Sequence, residues 1–222
     1  PYISSRHEDA AVMVDPGYFR KRFKKKESIL FFLTREGEPV AASFNERLHG
    51  WHKFSGVGIL DGDSSIIRMG AMRALYYFML CYYRDRGVER INFGGTPPLL
   101  SDGLTRFKMS MRAVPNERVT RREKSVWLVP LRDTEALRSI LLANPFLYTR
   151  DGGIYRALFA DSSELERKKD FLKKLKISRF RNTSGTKLCC WGDTEQIDQW
   201  LQEETDEQIK RYSPDFLFRT SE

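Results

Sequence analysis

Two glycines and a lysine are the residues of this chain with the most evident chemical use. Gly94-Gly95 close the apolar segment Ile91-Asn92-Phe93, and Lys108 follows Phe107 in the stretch Gly103-Leu104-Thr105-Arg106-Phe107-Lys108. A strand that stops at paired glycines lets a second backbone or a ligand approach closely. An ammonium held beside such an opening can neutralise charge developing on an oxygen or a phosphate. A second set lies upstream, where Asp61-Gly62-Asp63-Ser64-Ser65 runs into Ile66-Ile67-Arg68-Met69-Gly70-Ala71. A helix starting there offers free N–H groups to an anion; Ser64, Ser65 and Arg68 could contact it, and Gly70 would let it lie against the backbone.

Other reactive residue types are less well arranged. His49 and His52 stand three apart in a strand region, which puts them on opposite faces and is poor spacing for one metal ion. Cys81 sits among helical aromatics and Cys189-Cys190 in a strand-like run, so packing is expected of all three. The sequence holds no C-x-x-C pair, no clustered His/Cys set, no Gly-x-Ser-x-Gly elbow and no phosphate-binding P-loop. No metal is expected.

The elements that would position the candidate residues are legible from patterning. Asp15-Pro16 starts a helix, with Asp as N-cap, Pro at the first helical position, and Tyr18, Phe19 and Phe23 on one side. Ser28 to Thr34, Val40 to Leu48 and Trp51 to Leu60 read as three strands separated by turns at Glu36-Gly37-Glu38-Pro39 and Gly50, an antiparallel meander. Met72, Leu75, Tyr76, Met79 and Tyr83 form a helical stripe, so one helix is expected over Ile66 to Arg86, terminated by Gly87. Val88 to Phe93 then reads as a short buried strand.

Further along, strands are expected at Ser125 to Leu131, Ile154 to Phe159 and Lys187 to Trp191. Helices are expected from Asp133 to Leu142, from Ser162 or Ser163 to about Lys176, and from Asp193 or Thr194 through Leu201. Pro214 to Phe218 reads as a docked strand. The fold class is therefore mixed α/β (α+β).

With 222 residues, the chain is long enough for one large or two small cored domains. Its net charge of +8 favours an anionic partner: nucleic acid, a phosphorylated cofactor or a membrane surface. Basic residues concentrate at Arg20 to Lys26 and Arg167 to Arg181 and suit either solvated helix faces or a phosphate-tracking surface. No apolar run approaches the roughly 18 residues of a membrane span. Three cysteines suggest a reducing, cytoplasmic setting. Pro1 in place of Met, with no signal pattern after it, suggests that natural sequence, and with it an upstream domain, precedes this segment.

The order of parts resembles the GNAT acyltransferase fold, and the residues are most similar to its FemABX-like branch of aminoacyl and peptidyl transferases and related exopolysaccharide-locus proteins. The resemblance rests on Ala74-Leu75-Tyr76-Tyr77-Phe78 through Arg86-Gly87, Ile91-Asn92-Phe93-Gly94-Gly95, and Gly103-Leu104-Thr105-Arg106-Phe107-Lys108, within residues 28–114. It implies a mostly antiparallel central sheet flanked by helices, with a GNAT-like core over 1–131 and a C-terminal α/β extension over 132–222 that packs on it. It further implies that the strand before the long helix and the strand at Ile91 to Gly95 splay apart to admit an acyl donor. By the same resemblance the donor is acyl-CoA or aminoacyl-tRNA, and the acceptor is an amine on a small molecule or on a glycan- or peptide-linked, cell-envelope or polysaccharide acceptor. Lys108 matches the lysine that stabilises charge during transfer. Ser64, Ser65, Arg68, Gly70, Gly94 and Gly95 would line the donor. Two departures stand out: Asn92 replaces a frequent acid, and Arg68-Met69-Gly70-Ala71 is a shortened pyrophosphate loop. The alternative expectation is a non-catalytic GNAT-like module that binds an anionic ligand or RNA through a basic cleft.

Overall fold

In a computed structural model of the chain, the residues described are 15–24, 27–48, 51–116, 132–161, 183–191 and 209–212. They fall into two compact units, Pro1–Gly95 and Thr96–Glu222. The division falls after Gly95. Its physical basis is local: Leu100 N–H donates to the Pro145 carbonyl at 2.8 Å and Leu147 N–H to the Pro98 carbonyl at 2.8 Å, so the segment after Gly95 belongs with the later chain.

In the first unit, α1 (Pro16–Lys24) precedes the meander β1 (Ser28–Arg35), β2 (Glu38–Leu48) and β3 (Trp51–Ile59). Pairing is antiparallel across β1-β2-β3, and β4 (Ile91–Asn92) adds in parallel to β3. The β1–β2 turn is Glu36-Gly37, with both residues at positive φ, which matches the right-handed twist of a tight hairpin. The two faces of the sheet are covered by different helices. On one, Phe19 of α1 packs edge-on against Phe44 at 4.9 Å, while the buried Glu46 carboxylate accepts from Tyr18 Oη at 3.1 Å and pairs with Arg22 at 3.1 Å. On the other, Asn45 Nδ2 donates to Tyr83 Oη at 3.2 Å and to Met79 Sδ at 3.3 Å, and Ser43 Oγ donates to Asn45 Oδ1 at 2.7 Å. These buried polar groups thereby find the partners that burial demands.

The connection from β3 to β4 departs from the single helix expected over Ile66 to Arg86. A short helix, α2 (Ser64–Arg68), ends at Met69, and α3 (Ala71–Arg84) starts afresh after Gly70 at φ 89°. That left-handed conformation is open to glycine and breaks helical continuity. The apolar stripe behaves as read: Leu75, Tyr76, Met79 and Tyr83 are buried. Gly87, at φ 67°, closes α3 with Val88 N–H on the Tyr83 carbonyl and Gly87 N–H on the Arg84 carbonyl, a Schellman arrangement.

The second unit contains α4 (Gly103–Ser110), α5 (Glu135–Ala143), β5 (Phe146–Arg150), β6 (Gly153–Asp161), β7 (Gly185–Trp191) and β8 (Ile209–Tyr212). Its sheet runs β5-β6-β7-β8, antiparallel at β5–β6 and parallel thereafter. The core under α5 joins Leu141, Ala157, Phe159, Cys189 and Trp191. The α/β class expected from the sequence is therefore what the chain forms, as two mixed sheets flanked by helices. α5 is capped by Thr134, whose Oγ1 accepts from Leu137 N–H at 3.2 Å, rather than by Asp133, which pairs instead with Arg138 at 2.6 Å. β5 and β8 were not anticipated. The expected elements at Ser125 to Leu131, Ser162 to Lys176, Asp193 to Leu201 and Pro214 to Phe218 lie outside the described residues, as does His49.

Candidate functional site

The parallel pairing of β3 with β4 lasts two residues, His52 with Ile91 and Lys53 with Asn92. What ends it is local. Asn92 Oδ1 accepts the Gly94 N–H at 2.6 Å, and this Asx turn diverts the chain from the ladder. Gly94 has φ 77°, and a Cβ there would meet the Phe54 carbonyl oxygen at 3.5 Å. At Gly95 a Cβ would meet nothing within 4 Å. Phe93 fills the start of the divergence, stacked on Phe54 at 5.1 Å and edge-on to Tyr76 at 5.5 Å. From Ser55 to Ile59, β3 has no strand on its β4 side among the described residues.

Helix α3 points its N-terminus toward that opening. Tyr83 meets His52 at the start of β3 (4.4 Å) and Tyr76 meets Phe54 farther along (5.2 Å), so α3 runs antiparallel to β3. Its first turn therefore lies toward the C-terminal end of the strand, and no side chain caps it. A helix start of this kind leaves its first N–H groups and the positive end of its dipole available to an anion.

The residues singled out from the sequence are distributed unevenly around this opening. Gly70 is the N-cap of α3, and Gly94 and Gly95 mark where β4 leaves β3. Ser64 and Ser65 are exposed in α2, and neither is its cap. Asp63 is the cap, with its carboxylate accepting Ser65 N–H at 2.7 Å. The Ser65 hydroxyl and amide hold the Asp63 carboxyl below the usual carboxylate range. A carboxylate of the chain itself thus occupies the start of α2. Arg68 is exposed in the last turn of α2.

Lys108 belongs to the second unit. Asp102 caps α4, accepting Thr105 N–H at 2.8 Å, and Thr105 Oγ1 bonds Thr96 Oγ1 at 2.7 Å and the Pro97 carbonyl at 2.9 Å. The inward face of α4 is therefore Thr105 and Lys108, 2% and 7% exposed, while Phe107 is half-buried and Leu104 exposed. Of the pair Phe107-Lys108, the buried residue is the lysine. Burial lowers the Lys108 pKa, and the Asp102 carboxylate partly opposes this. Sequence reading named Asn92 only as a departure and missed its turn, whose Asn-x-Gly signal was present, and it missed Asp102 as the N-cap before Gly103.

No protein-family model matches the chain, and no curated protein sequence matches it. Among solved structures, the chain is similar to the ribosomal-protein-S18-alanine N-acetyltransferase from Escherichia coli, with 21% identity and a TM-score of 0.32. The likeness covers 39% of this chain and 52% of that one, so the chain spans about half the length of the enzyme it matches. Among the described residues no group of His, Cys, Asp or Glu is placed to hold a metal ion, and no helix is long and apolar enough to cross a membrane.

Proposed function

We propose that the protein is an N-acyltransferase whose donor lies in the opening between β3 and β4. The carrying observation is the two-residue pairing of those strands, ended by the Asn92–Gly94 bond beside the uncapped start of α3. An acyl donor with a phosphate-bearing carrier, acyl-CoA or aminoacyl-tRNA, suits that combination. Unpaired backbone of β3 can bond the donor's amides or its polar arm, and the α3 terminus can receive phosphate. The reaction joins the acceptor nitrogen to the donor carbonyl carbon. A tetrahedral oxyanion forms, then collapses with loss of the carrier thiolate or ribose oxygen, and the amine loses a proton.

For Lys108, which belongs to the second unit, the resemblance alone supports the role of steadying an oxyanion. An ammonium shielded from water counters a developing negative charge more strongly than one in bulk solvent. Gly70, Gly94 and Gly95 would let the donor approach the backbone, with Arg68 and the Ser64-Ser65 hydroxyls at its charged end. The acceptor we favour is an amine on a glycan- or peptide-linked, cell-envelope or polysaccharide component, handled in the cytoplasm or at the membrane surface.

The basic run of α1 bears on the donor. Arg22 is committed to Glu46, while Arg20, Lys21 and Lys24 are exposed. A tRNA-borne donor predicts affinity that falls steeply with salt and with charge reversal at these three positions; acyl-CoA predicts a smaller effect. The test is transfer of labelled acyl groups from a panel of acyl-CoAs and charged tRNAs to amine acceptors, with Lys108→Met as the comparison. Donor-dependent transfer lost in the variant supports the assignment. Transfer unchanged by the substitution removes Lys108 from it, and no transfer from any donor removes the reaction.

A further inference from the structure

The first sheet ends, on the side away from β4, in the edge strand β1. Among the described residues β1 pairs only with β2. Arg47 N–H donates to the Glu27 carbonyl at 2.7 Å, so Glu27 and every second residue after it turn their backbone groups toward β2. Ser28, Leu30, Phe32 and Thr34 therefore turn theirs to the open side. Proteins that keep such an edge to themselves blunt it with charge, proline or a bulge. β1 carries neither charge nor proline from Ser28 through Thr34, and the extra residue at its register shift, Val40, belongs to β2.

The side chains along this edge are apolar and exposed. Leu30 and Phe32 share the α1 face with their β2 partners Phe44 and Ala42, yet remain 38% and 58% exposed. Phe19 of α1 rests on Phe44, and α1 leaves the outer edge of β1 open. Phe23, 6.0 Å from Phe44, is exposed beside it. On the α3 face, Phe31 meets Tyr82 at 4.9 Å, and Phe78, one turn earlier on the same side of α3, is also exposed. Charge marks the two ends of the strand. Glu27 and Arg35 are both exposed; among the described residues Glu27 forms no ion pair, and Arg35 meets the exposed Glu36 at 3.9 Å and Met69 Sδ at 3.3 Å.

We propose that β1 pairs antiparallel with β1 of a second copy of this chain, about a two-fold axis at Phe31, so that the two sheets become continuous. In that register Leu30 of one copy lies opposite Phe32 of the other and Ser28 opposite Thr34, and all four have their backbone groups turned outward to bond. Glu27 of each copy lies opposite Arg35 of its partner on the same face, and the symmetry makes this ion pair twice. Sliding the register by two residues takes Glu27 off Arg35, and sliding it by one sets outward-turned groups against inward-turned ones. The pairing stands independently of the acyltransferase reading, because β1 lies at the opposite edge of the sheet from the β3–β4 opening.

The test is sedimentation equilibrium of the full chain at concentrations up to about 1 mM in about 0.15 M salt, which screens the like net charge of the two copies. Amide exchange is followed at both ends of that range. A monomer–dimer equilibrium is expected, with exchange at Leu30, Phe32 and Thr34 slowed in the dimer. The dissociation constant should rise about tenfold or more in Phe32→Lys, which sets an ammonium among apolar neighbours. It should rise severalfold in Glu27→Arg and in Arg35→Glu taken singly. Mixing those two variants should restore the affinity, because each reversed charge then faces its opposite. A chain that stays monomeric throughout overturns the proposal, whether exchange at these amides is fast or is slowed by another part of the same chain. So does a dimer that Phe32→Lys leaves as tight as before, or a mixture no tighter than either charge variant alone.

Discussion

The Asn92 side chain takes the Gly94 N–H at 2.6 Å, and through that bond a strand of two residues ends where a longer one would have continued along β3. A strand such as Ile91–Asn92 would otherwise keep pairing, since backbone N–H and C=O groups seek partners in the ladder. Asn92→Ala should therefore cost about 1 kcal/mol and lengthen β4. Asn92→Asp, which keeps an acceptor at the same place, should be within about 0.5 kcal/mol of the unaltered chain. Denaturant unfolding of both variants measures this, with amide exchange at Gly94 and Gly95 reporting the pairing. Equal stability of the Ala and Asp variants would show that the turn does not depend on this bond.

Lys108 makes a prediction in which stability and activity move apart. Its buried ammonium is disfavoured relative to the unfolded chain, so its folded-state pKa lies below the ordinary 10.5. The unfolded state binds the proton more readily between those two values. The cost is thus fully present below the folded pKa and is relieved as pH rises through it toward 10.5. Lys108→Met removes that desolvation cost near neutral pH. Its advantage should shrink at alkaline pH, while transfer is lost. A melting temperature that falls substantially would make Lys108 a structural residue.

His52 sets an acid limb. Burial, then the charge of Arg47, lowers its pKa below the ordinary 6.5, so the unfolded state takes up the proton first as pH falls. Stability is lost as pH drops through 6.5 and stops falling below the folded-state value. The other ionisable groups around it, Glu27, Arg47, Arg86, Tyr82 and Tyr83, line one cleft with it. In His52→Gln the slope of stability against pH just below 6.5 should flatten. Melting temperatures taken between pH 7.5 and about pH 5, the range where His titrates, test this. An identical slope in the variant would mean that another group carries the acid response.

Glu46 ties α1 to the sheet through Tyr18, Ser55 and Arg22 while its own side chain is almost fully buried. Glu46→Leu strands those partners and should cost about 2 kcal/mol, less than a fully buried pair because Arg22 can reach solvent. Arg22→Ala should cost less again, since two hydroxyls still satisfy the carboxylate. Chemical denaturation gives the ranking, and the reverse order would mean that the ion pair rather than the hydroxyl bonds holds α1.

The meander was legible from apolar runs such as Ile29 to Leu33 bounded by turn residues, and the α3 stripe from the three- and four-residue spacing of Leu75 to Tyr83. The break at Gly70 was not, because Ile66, Ile67 and Met72 continue a helical spacing straight across it and only the backbone angle reveals the interruption. Asp63 outcompeted Ser64 and Ser65 as cap because its carboxylate carries charge to the helix start. β5 was hidden behind Asn144-Pro145, and β8 is too short to show a pattern. Lys108 could be picked out by type and neighbours. Its burial could not be, because Leu104 and Phe107 look like the apolar face and the hydroxyl bonds that turn Thr105 inward come from Thr96 and Pro97, distant in the helix pattern.

The most direct test of a donor in the β3–β4 opening is amide chemical-shift mapping of the chain titrated with CoA, acetyl-CoA and aminoacylated tRNA. Saturable shifts or broadening centred on Gly94, Gly95, the β3 residues Ser55 to Ile59 and the first turn of α3 are predicted for at least one of these donors, and not for adenine alone. Perturbation confined to other parts of the chain, or none with any donor, would contradict it.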